Sequence, residues 1–181
     1  ENGYNVCYGL GEFNAEVETA EKMVLCQFSA KEKDADNYVS DAKYEQNLGL
    51  ADMLKAGMTF LGDDKPFFFM CEGGRIDWEA HENNLMPMIK EILDFDRTVG
   101  AVLEWAARDG ETLVIVTADH STGGMTLLGG KVAEQSVAVN YANTGHNGVA
   151  LPVYAWGPGA EKFVGIYENA VLSQMIKEIL K

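Results

Sequence analysis

A short apolar run that two glycines follow constrains the fold of this chain more than any other feature. The run extends from Phe67 to Cys71, and Glu72 separates it from Gly73 and Gly74. An apolar run of this length that stops at glycines is typical of a strand buried on both faces, as in a parallel sheet. Open α/β sheets bind their ligands at the carboxyl ends of such strands. The sequence therefore predicts a buried strand with the Glu72 carboxylate at the ligand-binding edge of a sheet.

Two side chains with metal-binding atoms follow these glycines. Asp77 and His81 are four residues apart, and on a helical turn this spacing places both side chains on one face. A carboxylate oxygen and an imidazole nitrogen presented together suit a divalent metal, zinc especially. Short motifs also match by chance. At this point two alternatives therefore stay open: Asp77 could be a helix N-cap, and His81 could be a solvated surface histidine.

The other two histidines of the chain lie in similar surroundings. His120 directly follows Asp119, just after an apolar segment at residues 113–116. His146 lies between glycines, before a further apolar run at residues 151–156. Three histidines and three carboxylates therefore fall near the ends of consecutive predicted strands. This pattern favours one shared site over unrelated surface residues.

The order of the predicted elements indicates an α/β fold. Strands are predicted at residues 4–8, 23–28, 67–71, 112–117 and 151–156, and helices at residues 12–20, 50–61, 86–108 and 169–180. Such alternation is typical of a three-layer sandwich, in which helices cover both faces of a central, mostly parallel sheet. We expect the long helix at residues 86–108 to be a crossover between parallel strands, with Gly110 just past its end. Residues 29–47 are expected to form a long surface loop, and residues 132–141 an edge strand or a loop.

Length, charge and cysteine content narrow the class of protein. A chain of 181 residues with 47% apolar residues suits one globular unit with a sizeable core. Its formal net charge of -14 argues against a nucleic-acid partner and fits carboxylates held close to bound cations. No apolar run approaches the roughly 18 residues of a membrane span. The three cysteines are expected to be buried free thiols, although a disulfide between Cys7 and Cys26 stays open.

Three segments, taken together and in order, resemble the C-terminal metal-binding blocks of alkaline phosphatases. They are the run from Phe67 to His81, Thr-Ala-Asp-His at residues 117–120, and Gly-His-Asn-Gly at residues 145–148. The following Pro-Val-Tyr-Ala-Trp-Gly-Pro-Gly at residues 152–159 agrees as well. The resemblance is firm from about Leu48 onward. It implies that residues 1–181 form a single α/β unit, the C-terminal part of an alkaline-phosphatase-like catalytic domain whose upstream part is absent.

The resemblance also implies a reaction, its metals and its setting. The family hydrolyses phosphate monoesters through a phosphoserine intermediate, with two zinc ions and one magnesium ion. A periplasmic or extracellular location is implied, and a homodimer is allowed. The matching ligands are Asp77, His81 and His146 for the first zinc, Asp119 and His120 for the second zinc, and Glu72 for the magnesium.

The family's nucleophilic serine, a metal-bridging aspartate and a phosphate-clamping arginine lie upstream of these blocks and have no counterpart here. No serine of this chain sits in a strand-to-helix elbow beside a base. Ser121, next to a predicted ligand, is interpreted as a helix cap or as a hydrogen-bond donor to a ligand. We therefore expect no catalytic residue in this chain and no turnover by the chain alone.

Two other kinds of function stay open. Dinuclear phosphodiesterases, nucleotide pyrophosphatases and cofactor-independent phosphoglycerate mutases use similar aspartate–histidine blocks. A non-catalytic paralogue would keep the metals without the reaction. A serine at the matching upstream strand end would favour the enzyme, and its absence would favour the binding protein.

Overall fold

The computed structural model describes residues 2–26, 48–62 and 65–180, which contain both helices and short strands. The helices are α1 (Gly9–Glu16), α2 (Leu50–Leu61), α3 (Arg75–His81), α4 (Leu85–Asp109) and α5 (Asn169–Ile179). The strands are β1 (Asn5–Tyr8), β2 (Met23–Cys26), β3 (Val114–Val116), β4 (Ser121–Thr122), β5 (Thr126–Lys131), β6 (Ser136–Asn140), β7 (His146–Asn147) and β8 (Tyr154–Trp156). The predicted mixed α/β class is confirmed. The loop expected at residues 29–47 lies outside the described residues.

The described strands form four two-stranded sheets. β1 pairs with β2 in parallel, whereas β3–β8, β4–β7 and β5–β6 are antiparallel. The segment at residues 132–141, left open between an edge strand and a loop, contains β6, which forms a hairpin with β5. A three-layer sandwich around a mostly parallel sheet stays a prediction.

The chain divides into two compact units, which are described separately. The first comprises Glu1–Ile76 with Ile89–Thr98, and the second comprises Asp77–Met88 with Val99–Lys181. In the first unit, Cys7 of β1, Phe13 of α1 and Ala56 of α2 form a buried cluster. Burial of such apolar side chains contributes roughly 25 cal/mol per Å² of apolar surface removed from water. A single α/β unit over residues 1–181 stays a prediction.

The prediction of a buried strand at Phe67–Cys71 is wrong for the described structure. These residues pair with no described strand, and the side chains of Phe68 and Met70 are 59% and 75% exposed. An apolar run becomes a strand only where a neighbouring backbone takes its N–H and C=O groups. Among the described strands none does so, and α4 therefore does not connect two parallel strands there.

The long helix α4 and its end agree with the sequence prediction. Gly110 adopts a left-handed conformation, with φ 76°, and its N–H donates to the Ala106 carbonyl at 2.9 Å. Glycine adopts this conformation without the steric penalty of a side chain. Within the first unit, the buried Asp94 carboxylate of α4 accepts the N–H of Leu50 at 3.1 Å and so satisfies a donor at the start of α2.

The cysteines are free, as expected, so the disulfide between Cys7 and Cys26 does not form. Cys7 is buried, whereas Cys26 and Cys71 are only half-buried. Burial raises the pKa of the Cys7 thiol, and so does the nearby negative charge of Glu16. Among the helices of the described residues, none is both long and apolar enough to cross a membrane.

Candidate metal centre

The helix α3 places the first two predicted ligands on one face of the second unit. Asp77 is the third residue of this helix and His81 the last, so Asp77 is not an N-cap. One Asp77 carboxylate oxygen, Oδ2, lies 3.3 Å from Nε2 of His81. The helical pairing expected from their four-residue spacing is therefore present. Both side chains are half-buried, and His81 is not an isolated surface histidine.

A short antiparallel pair, β4–β7, brings the third histidine to this face. Thr122 of β4 lies opposite His146 of β7. Nε2 of His146 lies 3.0 Å from Nε2 of His81 and 3.5 Å from Oδ1 of Asp77. His81 and His146 are 65 residues apart in the chain, yet they meet at one point beside Asp77.

His120 joins the same group of side chains, although the family resemblance assigns it to a second metal. Its ring stacks on that of His146, with centroids 3.5 Å apart. Asp77, His120 and His146 each offer one ligand atom, and these atoms lie within 4.8 Å of one another. The structure therefore brings together all three histidines around Asp77.

Asp119 lies at the outer edge of this group. Its Oδ2 is 3.2 Å from Nε2 of His120, and its side chain is 83% exposed. The pair predicted to bind the second metal is thus formed by one half-buried imidazole and one exposed carboxylate.

The orientation of His81 depends on the loop that precedes β7. Nδ1 of His81 lies 2.5 Å from the backbone carbonyl oxygen of Thr144. Since a carbonyl oxygen only accepts hydrogen bonds, Nδ1 carries a proton, and in the neutral imidazole the free lone pair is then on Nε2. This lone pair lies on the side of Asp77 and His146.

A glycine turn joins this loop to the end of α3. The N–H of Gly123 donates to the carbonyl of Gly145 at 2.9 Å, and the Gly123 carbonyl accepts the N–H of Ala142 at 3.0 Å. Gly123 has φ +76°, and a Cβ there would lie 3.0 Å from the carbonyl oxygen of Ala80. Only glycine fits this position without strain.

Glu72 lies in the first unit, not in the unit that contains the histidines. It follows the apolar run at residues 67–71 and lines a mostly apolar groove of about 450 Å³ within that unit. Its assignment to a magnesium site stays a prediction.

Two residues with a role at this centre were not singled out from the sequence, Thr122 and Thr144. Thr122 is two residues beyond His120, and the period-two rule for extended chain would have placed it on the same side. Thr144 contributes a backbone carbonyl, for which no residue type is diagnostic. Ser121 lies in a strand, so its interpretation as a helix cap is wrong.

Comparison with known families and sequences identifies relatives of the chain. A family model described as alkaline phosphatase matches residues 21–139. Alkaline phosphatase 4 of Bacillus subtilis is 30% identical in a comparison that covers 73% of this chain and 43% of the relative. The alkaline phosphatase of Escherichia coli is 32% identical over 148 residues, which cover 72% of this chain and 31% of the relative. The chain thus spans less than half the length of these relatives.

Solved structures of alkaline phosphatases are also similar to this chain in fold. Alkaline phosphatase from the Antarctic bacterium TAB5 has a TM-score of 0.77 and 34% sequence identity, covering 98% of this chain and 52% of that chain. A variant of that enzyme with Mg bound in its M3 site has a TM-score of 0.79 and 32% identity. The described chain therefore corresponds to about half of each of these structures.

Proposed function

Because the chain belongs to the alkaline phosphatase family, we propose that it forms the main metal-binding part of a phosphate monoester hydrolase. The observation that carries this proposal is the hydrogen bond from His81 Nδ1 to the Thr144 carbonyl. It leaves the Nε2 lone pair beside the Asp77 carboxylate and Nε2 of His146. Histidines that bind metals in proteins commonly have their second nitrogen fixed in this way.

The spacing of the donor atoms suits a zinc ion. Ligand atoms about 2.0–2.2 Å from a tetrahedral ion are separated from one another by about 3.3–3.6 Å. The two Nε2 atoms of His81 and His146 are 3.0 Å apart, and each lies near a different oxygen of Asp77, His81 at 3.3 Å from Oδ2 and His146 at 3.5 Å from Oδ1. Two imidazoles and a carboxylate are also ligands that zinc prefers, and three protein ligands leave one position open for substrate.

We assign the second zinc to Asp119 and His120, whose facing atoms are 3.2 Å apart. This pair supplies two of the four ligands of a tetrahedral site, and we propose that an upstream carboxylate supplies a further one. Glu72 is proposed to hold a magnesium ion, since its carboxylate is a hard oxygen ligand.

The residues of this chain position the reacting groups. When bound, two zinc ions held by these residues would supply positive charge for the attacking and leaving oxygens of an in-line phosphoryl displacement. Asp77, His81 and His146 hold the side of the leaving group, and Asp119 and His120 hold the side of the nucleophile. A phosphoserine intermediate is proposed to form on a serine upstream of residues 1–181, because the sequence places none of its own serines in a nucleophile elbow.

The setting of the protein is part of the same proposal. The substrate is a small phosphate monoester, and the upstream part of the same protein completes the site. A homodimer and a periplasmic or extracellular location fit this function. The acidic chain, with a net charge of -14, is unsuited to binding nucleic acid.

The test is release of p-nitrophenol from its phosphate ester at alkaline pH, with zinc and magnesium added. We expect activity from the full-length protein that carries the upstream region and none from residues 1–181 alone. In the full-length protein, His81→Gln should abolish activity, and Glu82→Gln, an exposed neighbour, should preserve it. If residues 1–181 alone were as active as the full-length protein, the proposal that the upstream region supplies the nucleophile would be contradicted.

The same assay separates the alternative functions. Cleavage of bis-p-nitrophenyl phosphate alone would show a phosphodiesterase, and no hydrolysis of either ester would support a non-catalytic metal-binding protein.

A further inference from the structure

Thr122 joins the two predicted metal sites through one hydroxyl group. Its Oγ1 lies 2.5 Å from Oδ1 of Asp77, a ligand of the first site. The same oxygen lies 3.2 Å from Nδ1 of His120, a ligand of the second. Thr122 is half-buried, and it ends β4 directly before the buried Gly123. Its hydroxyl is thereby held between the two ligands.

The hydrogens of this arrangement follow from the chemistry of the three groups. An ionised carboxylate only accepts hydrogen bonds, so the hydroxyl of Thr122 donates to Asp77. The hydroxyl oxygen keeps two lone pairs, and it can accept from Nδ1–H of His120. A neutral imidazole with its proton on Nδ1 has its free lone pair on Nε2. That nitrogen is the one that lies 3.2 Å from Asp119.

The opposite tautomer of His120 would present its ligand atom to the wrong site. Nδ1 lies 4.0 Å from Oδ1 of Asp77, and the His120 ring stacks on that of His146. Without its proton, Nδ1 would be available to the group formed by Asp77 and His146, whose ligand atoms are close enough to share one ion with His120. His120 would then serve the first site, and Asp119 would lose its neighbour.

We propose that Thr122 is a positioning residue that fixes the tautomer of His120 and so keeps the two metal sites distinct. The inference rests on the proposed metal-binding function. Removing the hydroxyl frees the His120 proton to move to Nε2 and takes a hydrogen bond from Asp77. Loss of a hydrogen-bond partner of a metal ligand typically lowers metal affinity by about 10–100-fold.

The decisive variants are Thr122→Val, which has nearly the same shape without the hydroxyl, and Thr122→Ser, which keeps it. Thr112→Val is the matched control, because the hydroxyl of Thr112 also donates to an aspartate, Asp109 at 2.6 Å, but away from the histidines. Nitrogen-15 NMR of the metal-free protein, at a pH about two units above the free-imidazole pKa of about 6.5, reports the tautomer of His120. Competition with a chelator then reports the affinity for zinc.

We expect the Nδ1–H tautomer in the parent protein, Thr122→Ser and Thr112→Val, and a shift to Nε2–H in Thr122→Val. Zinc binding at the weaker of the two sites should fall by about 10–100-fold in Thr122→Val alone. An unchanged tautomer in a folded Thr122→Val protein, or the Nε2–H form in the parent, would overturn the inference. Failure of the parent to bind zinc would instead contradict the proposed function, while the tautomer measurement would still be decisive for Thr122.

Discussion

The side chain of His81, at the end of α3, donates its Nδ1 proton to the backbone carbonyl of Thr144, 63 residues later in the chain. The bond connects a helix with the loop before β7, so the ligand geometry depends on tertiary structure and not on the helix alone. The four-residue spacing of Asp77 and His81 sets which face they share. The loop sets which nitrogen of His81 is available for a metal.

The conformation of that loop depends on Asn143. Its Oδ1 accepts the N–H of Gly145 at 3.0 Å, and its Nδ2 donates to Oδ1 of Asn147 at 2.9 Å. We expect Asn143→Ala to loosen the loop and lower zinc affinity by about 10-fold, since His81 loses its fixed acceptor. Chelator competition measures the change. Asn140→Ala, at the end of β6, is the control, and an equal loss in both variants would show that the effect is not specific to the loop.

Gly123 should tolerate no side chain. Its φ of +76° and the carbonyl of Ala80, 3.0 Å from an added Cβ, predict that Gly123→Ala destabilises the protein by about 1–3 kcal/mol. Gly100→Ala should change the free energy of unfolding in the opposite direction. Gly100 lies in the interior of α4 with open space around it, and alanine there should stabilise by about 0.5–1 kcal/mol. Urea unfolding measures both, and stabilisation by Gly123→Ala would contradict the described turn.

The contact between α4 and the start of α2 predicts a difference between two neighbouring aspartates. Asp94 is buried and accepts the N–H of Leu50, whereas Asp96 is exposed. Asp94→Ala should lower the free energy of unfolding by about 1–3 kcal/mol, because a charged acceptor is lost. Asp96→Ala should change it by less than about 0.5 kcal/mol. Similar values for the two variants in urea unfolding would be inconsistent with this contact.

The buried thiol of Cys7 predicts a loss of stability at high pH. Burial, and then the negative charge of Glu16, raises the pKa of this thiol above its ordinary value of 9.0. The folded protein therefore holds the proton more tightly than the unfolded chain. The resulting stabilisation is fully present below pH 9.0 and is lost as the pH rises through the folded-state pKa. Urea unfolding below and above this pH should show a smaller decline for Cys7→Ala than for the parent protein, and an equal decline would exclude the contribution.

Much of the local structure could be predicted from the sequence, because local rules govern it. The spacing of apolar residues in α2, α4 and α5, and glycine at position 110, depend on helix geometry alone. Phe67–Cys71 could not be predicted correctly, since composition shows that a run is apolar but not which backbone pairs with it. Among the described residues, no strand of the four sheets lies beside this run.

In the candidate site, too, the sequence predicts the residues involved but not the contacts that tertiary packing creates. Residue type and order were enough to identify Asp77, His81, His120 and His146, which the structure brings together. The stacking of His120 on His146, and the position of the Thr122 hydroxyl between Asp77 and His120, depend on how β4 pairs with β7. Such distances between residues far apart in sequence are set by tertiary packing, and no spacing rule gives them.

The most direct test of the proposed metal centre is an anomalous difference map at the zinc absorption edge, from crystals of the protein grown with zinc. We expect a peak about 2.0–2.2 Å from Nε2 of His81, Nε2 of His146 and a carboxylate oxygen of Asp77. A second, weaker peak is expected between His120 Nε2 and Asp119. Crystals that contain zinc but show no peak among Asp77, His81 and His146 would contradict the assignment of this centre.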